Sequence, residues 1–213
     1  MSAFNDIDIT CAKCGEEFVG TIWTAIHTTE TPELRELLLG GELNMVSCTG
    51  CGDIAYHDHF LLYQDPKEEL VAYVYKESDR GREETLRPLT LQGYHEAQET
   101  LDPKDRKTYE PILLFGLEAL VELLENEEFL HEEWDVAKEV CLENEIPVFT
   151  LRPAQARAQK LPRILPVIPF SKSPTREHVL KGISRLLELD PALSTYATLR
   201  KKIAANPGWS LAG

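Results

Sequence analysis

No stretch of the chain comes near the roughly 20 consecutive apolar residues that a membrane-spanning helix needs, which excludes a helical membrane protein. The opening residues Met1 to Asp8 lack a basic segment followed by an apolar one, so no signal peptide is expected. A cytoplasmic setting follows as the expectation, with thiols kept reduced. Four common catalytic and nucleotide signatures are also missing: Gly-x-x-x-x-Gly-Lys-Ser/Thr, Gly-x-Gly-x-x-Gly after a strand, His-Glu-x-x-His and Gly-x-Ser-x-Gly. Their absence makes an enzyme the less favoured class. Positive charge is scarce, with 22 Lys and Arg against 36 Asp and Glu for a net charge of −14. Such a field repels nucleic acid overall.

The charge is unevenly spread. Residues 1–150 hold 11 basic against 33 acidic side chains, a net of −22, whereas residues 151–213 hold 11 against 3, a net of +8. The basic end either folds back on an acidic body or presents a basic face to an acidic partner. Arg152, Arg157, Lys160 and Arg163 could meet a phosphate backbone, but no aromatics interleave them to stack on bases. A solvated loop or an intramolecular contact is the plainer expectation.

What the chain does have is a duplicated pattern. Cys11-Ala12-Lys13-Cys14-Gly15 and Cys48-Thr49-Gly50-Cys51-Gly52 contain four of the five cysteines. Two residues between paired cysteines let a tight turn aim both thiolates at one point, about 2.3 Å from each sulfur for zinc. Without a Cβ, Gly15 and Gly52 are free to take positive φ and to turn backbone N–H groups toward the sulfurs. A structural Zn²⁺ held by Cys11, Cys14, Cys48 and Cys51 is therefore the expected cofactor. A redox pair and two disulfides are the competing readings. The redox reading asks for a single motif between a strand and a helix, and here it is duplicated and flanked by strand-like runs. Cys141, outside the pattern, reads as a small buried hydrophobe.

The rest of the chain divides in two. Residues 16–29 mix β-branched and aromatic side chains as a strand or hairpin arm would. Thr31-Pro32-Glu33 opens a short helix whose Leu34, Leu37 and Leu38 form a stripe before Gly40-Gly41 stops it. Leu43 to Ser47 reads as a strand, and Ile54–Tyr63 with Glu69–Lys76 as a hairpin about Gln64-Asp65-Pro66-Lys67. Residues 77–84 are polar, with a glycine, and read as a linker. Helices are expected over 110–124, 132–143, 175–189 and 191–204, with short edge strands near 146–150 and 164–168. Trp23, Trp134 and Trp209 are expected in cores or a tail contact. The fold class is α+β: a zinc-ribbon-like antiparallel β domain over 1–78 with a short helical insertion, then a mainly helical domain over 88–213.

Several residues together resemble a known family. Cys11, Trp23, Ile26, Glu30 to Leu39, Gly41-Glu42-Leu43-Asn44, Cys48 to Gly52, Leu61-Leu62-Tyr63 and Asp65-Pro66 are similar to the CpXC family, a zinc-ribbon-like prokaryotic group, over about residues 8–76. Ala12 and Thr49 stand where that family usually has proline, which leaves the cysteine ligands intact. The resemblance implies a fold and a zinc site and brings no reaction with it.

The function read from all this is a zinc-stabilised protein-interaction module whose partner is another protein. Two alternatives are carried beside it. His57 and His59 share one face of the strand expected there, and with His27 they offer ligands for a metal-dependent hydrolase. Nucleic-acid binding through the basic terminal part is the other.

Overall fold

The computed structural model describes residues 1–211, which fall into two compact units, Met1–Glu125 and the residues from Asn126 onward. The first unit is built on a five-stranded mixed sheet of order β1-β2-β5-β6-β7. β1 (Ala3–Thr10) and β2 (Glu17–His27) pair antiparallel from Thr10↔Glu17 back to Ala3↔Ala25. β2 then continues past the end of β1, and its last three residues pair parallel with β5 (Leu61–Asp65). Between them come α1 (Pro32–Leu39) and a separate two-stranded ribbon, β3 (Met45–Ser47) with β4 (Ile54–Tyr56). α1 starts and stops where its residues dictate: Pro32 fits the first turn, and Gly41 at φ +71° ends it. Thr31 takes the N-cap position without capping, because its hydroxyl is held by Ser2 instead.

β5 turns into β6 (Leu70–Tyr75) through Asp65, whose Oδ1 accepts the N–H groups of Lys67 (3.1 Å) and Glu68 (3.3 Å). The two strands alternate except at Val71, which is buried like its neighbours Leu70 and Ala72. Leu61, Tyr63, Leu70, Ala72 and Val74 face one side and join Ile26, Leu34 and Leu38 in a buried core. Tyr73 and Tyr75 face the other side, where the Tyr75 hydroxyl meets Thr90 of α2 (Glu83–Glu99) at 2.8 Å. α2 is the crossover to β7 (Ile112–Phe115), which lies parallel to β6.

Three expectations are corrected here. Residues 77–84 are not an open linker, because Glu77–Arg82 forms a 3-10 turn that leads straight into α2. The helix expected from residue 110 begins only with α3 (Leu117–Glu143), since Ile112–Phe115 finds a strand partner in β6 and Gly116, at φ +77°, breaks the chain direction between them. α3 also fuses the two helices expected over 110–124 and 132–143, so the acidic run 125–133 is helix interior and not a helix end. The division between the two compact units falls within α3, between Glu125 and Asn126. Leu120 and Leu124 complete the core of the first unit.

One hydrogen-bonding device positions the ribbon. Beyond the end of β5, β2 needs a partner at Trp23, and Asn44 supplies it: its Oδ1 accepts the Trp23 N–H (2.8 Å) and its Nδ2 donates to the Trp23 carbonyl (3.1 Å). Asn44 sits at φ +60°, which asparagine tolerates better than most residues, and is buried. Asn44→Ala is expected to lower the stability of the first unit by about 2 to 4 kcal/mol, through two orphaned backbone groups and a strained backbone. The measurement is the urea midpoint of the first unit, and an unchanged midpoint would show that the Trp23 groups find other partners.

The second unit is mainly helical. β8 (Val148–Thr150) and β9 (Ile164–Pro166) form an antiparallel pair around α4 (Pro153–Gln159), with α5 (Arg176–Leu189) and α6 (Ser194–Ala205) following. Thr175 caps α5 by accepting the His178 N–H, and Val179, Ile183 and Leu186 enter a core with Trp134, Ala137 and Cys141 of α3. Burial holds the Cys141 thiol up at about 11, as a hydrophobe in the core requires. Trp209 packs at the edge of the same core. The basic segment is partly spent inside the unit: the Arg157 guanidinium forms a two-pronged, mostly buried pair with Glu127, and Arg163 lies 3.0 Å from His131. Among the described residues, no helix is long and apolar enough to cross a membrane.

Candidate metal centre

Each cysteine pair is the turn of a hairpin. Cys11 to Gly15 links β1 to β2, and Cys48 to Gly52 links β3 to β4, so two hairpin tips meet at one place. The two turns are built alike. The Cys11 N–H donates to the Glu16 carbonyl (2.8 Å) and the Gly15 N–H to the Cys11 carbonyl (2.9 Å); the Cys48 N–H donates to Asp53 (2.8 Å) and the Gly52 N–H to Cys48 (2.9 Å). Gly15 and Gly52 sit at φ +77° and +70°, the left-handed conformation expected of them. The Lys13 Nζ reaches across to the Asp53 Oδ1 at 2.8 Å and ties one tip to the other. This exposed pair aligns the tips and contributes little stability.

The four sulfurs converge. Cys11 Sγ lies 3.8 Å from Cys51 Sγ, Cys14 Sγ lies 3.6 Å from Cys48 Sγ, and all four lie within 4.8 Å of one another. A tetrahedron with metal–sulfur bonds of about 2.3 Å has edges of about 3.8 Å. A disulfide needs sulfurs about 2.05 Å apart, so both cross-tip pairs stand well outside bonding distance. The cysteines are free thiols in a set that can hold a metal ion.

The turns also set the electrostatics of the sulfurs. Backbone N–H groups of Cys14 and Lys13 point at the Cys11 sulfur and bring its thiol down to about 7. The Glu16 N–H does the same for Cys14, but hydrogen bonding to Cys51, burial and the remaining thiols outweigh it and push Cys14 up to about 12. Cys51 behaves similarly: the Asp53 N–H and Cys14 pull it down, while burial and its bonds to Cys11 and Cys48 raise it overall. The pattern has one cause. One thiolate is welcome at this point and each further negative charge is resisted, until a divalent cation reverses the sign of the field. The N–H groups aimed at sulfur belong to Lys13, Cys14, Glu16 and Asp53; the glycine N–H groups serve the cysteine carbonyls instead.

The three histidines do not form a second centre. The chain leaves strand geometry after Tyr56, so His57 and His59 lie in an irregular link rather than on one face of a strand, with rings 6.3 Å apart and stacked. The link bends because the His57 N–H donates to the Asn44 carbonyl (3.0 Å) and the Asp58 carboxylate accepts the Glu77 N–H (3.0 Å). His59 Nδ1 pairs with the Phe60 carbonyl, and His27 Nδ1 with the Thr29 hydroxyl. Among the described residues, the four cysteines are the one group of three or more His, Cys, Asp or Glu side chains placed to share an ion.

Sequence reasoning missed Lys13, Glu16, Asp53 and Asn44. The duplicated spacing offered a signal for Glu16 and Asp53, each directly after a knuckle glycine; Asn44 and the Lys13–Asp53 pair depend on partners far away in the chain. Among curated proteins and among solved structures, no match to the chain was found. The family model described as CpXC protein matches residues 9–125, well beyond the segment 8–76 on which the resemblance rested and up to the end of the first unit. With both cysteine turns, the helix insertion and strands β2 to β7 inside that match, which covers more than half of the chain, the chain belongs to the CpXC family.

Proposed function

We propose that Cys11, Cys14, Cys48 and Cys51 hold one Zn²⁺ and that this ion fastens a protein-interaction module in a reducing, cytoplasmic setting. The observation that carries the reading is the convergence of four sulfurs with cross-tip separations of 3.8 and 3.6 Å. Four thiolates complete a tetrahedron and leave no open position for substrate, the mark of a structural rather than a catalytic ion. The ribbon depends on such help, since two strands of three residues each cannot stand alone in water. Its outward face supports the interaction role: Met45 and Tyr56 are paired across it with Ile54 beside them, exposed by 42, 44 and 64 %.

Elemental analysis of protein isolated without chelator tests the metal. One zinc per chain is the expected result. Two zinc ions would favour the hydrolase built on His57 and His59, iron with a coloured thiolate band would replace zinc, and metal-free material with intact hairpins would remove the reading. Removing the ion with a chelator is expected to abolish amide protection in β3 and β4.

A further inference from the structure

A cleft of about 690 Å³ opens in the first unit beside the ribbon. That volume lies in the range of sites that enclose organic ligands. Its apolar lining comes from Leu38 at the end of α1, Leu43 in the turn after it, and Leu117 and Val121 at the start of α3. Its polar lining is mostly of one sign. Asp58, Glu118 and Glu122 stand on it, and the nearby cation, Arg80, is already committed: its guanidinium grips both oxygens of Glu77 at 2.6 and 2.8 Å and also donates to the Phe115 carbonyl. Among the described residues, no Lys or Arg pairs with Glu118 or Glu122. Tyr56 joins the cleft to the ribbon, because it lines the one and stands on the exposed face of the other beside Met45 and Ile54.

We propose that the cleft and the adjoining ribbon face form a groove for a basic, amphipathic polypeptide segment of a partner protein. Apolar side chains of that segment enter between α1 and α3, and its Lys or Arg heads meet Asp58, Glu118 and Glu122. The inference deepens the interaction reading and rests on it. Three observations select this occupant. The apolar surface continues from the cleft onto the ribbon through Tyr56 to Met45 and Ile54, which suits an extended segment better than a single small amine. The unpaired charges of the lining are negative, which calls for a cationic ligand. A second copy of the chain is disfavoured, because residues 1–125 carry 10 Lys and Arg against 25 Asp and Glu, a net of −15, and like fields repel.

The test uses the full-length, zinc-loaded protein and dye-labelled peptides read by fluorescence anisotropy. The probe is a short peptide alternating leucine and lysine; a leucine–glutamate peptide and a lysine-only peptide are the controls. The leucine–lysine probe is expected to bind at least about tenfold more tightly than either control. Glu118→Lys with Glu122→Lys is expected to weaken it by about tenfold, while Glu96→Lys with Glu99→Lys, the same charge change on the exposed face of α2, leaves it unaltered. Equal losses in both double variants, equal binding of the lysine-only peptide, displacement of the probe by simple alkylamines, or self-association in place of binding would each overturn the groove. Zinc content is measured on every variant, so failure of the groove with one zinc still bound is distinguishable from failure of the metal reading. If a partner recovered from native cells is retained by Glu118→Lys with Glu122→Lys, the interaction role stands and the groove is refuted.

Discussion

Cys51→Ser is expected to release the metal and unfold the ribbon together with both hairpin tips, and Cys11→Ser is expected to do the same. Structural zinc in sites of this kind contributes on the order of 10 to 16 kcal/mol of apparent folding free energy. A whole domain is typically stable by only about 5 to 15 kcal/mol. Little else holds β3 and β4: the buried side chains at this end are Leu43, Asn44, Val46 and two of the four cysteines, Cys11 and Cys48. Serine offers a hydroxyl where the ion needs an ionised sulfur, and three thiolates without their fourth partner remain crowded in one place. Amide exchange is the decisive measurement. Residues 45–47 and 54–56 should lose protection, whereas Ile183 and Leu186, buried in a core made only from residues 130 onward, should keep theirs. If either serine variant retained protected ribbon amides without metal, the structural role of the ion would be wrong.

Gly182→Ala is expected to destabilise the second unit by about 3 kcal/mol or more, although alanine is the better helix former by about 1 kcal/mol. Packing decides the sign. A Cβ at Gly182 of α5 would lie 2.2 Å from the Pro166 carbonyl oxygen, 2.3 Å from its carbon and 2.6 Å from the Val167 nitrogen. These are backbone atoms of β9 and the residue after it, flanked by the fully buried Leu165 and Val167, so no flexible side chain can give way. Lys181→Ala, one residue earlier and exposed, serves as the control. The readout is urea unfolding followed by probes in each unit separately, since a chain with two cores need not unfold in one step. A Gly182→Ala protein as stable as its parent would mean that α5 can lift from β9 without loss.

The four-cysteine cluster was legible in the sequence because its information is local. Two residues between cysteines, and a glycine after each pair, dictate a turn whatever surrounds it, and both turns have the positive φ foreseen. α1 and the start of α5 were legible for the same reason, through Pro32, Gly41 and Thr175. β7 was not. Leu113, Leu117, Leu120, Val121 and Leu124 happen to fall at helical spacing, and the strand character of Ile112–Phe115 comes from pairing with β6, 40 residues earlier. Gly116 was the local clue to the break. The continuity of α3 through its acidic run was hidden because a cluster of like charges suggests a helix end, yet glutamate is itself a good helix former and its repulsions cost only tenths of a kcal/mol per pair. The strand drawn through His57 and His59 failed at Asn44 and Glu77, whose backbone groups pull the link out of register.

The parallel pairing of β2 with β5 requires the chain to make a long excursion before the two strands can meet, and the ribbon is part of that excursion. The ion proposed for the cysteines, by joining Cys14 to Cys48, would close a loop across most of the intervening chain and remove much of the entropy that bringing those strands together costs. On that reading metal supply would govern the order of assembly: a chain that meets the ion early would close its sheet quickly, and one made under zinc starvation would linger with β2 and β5 unjoined and their edges open to other chains.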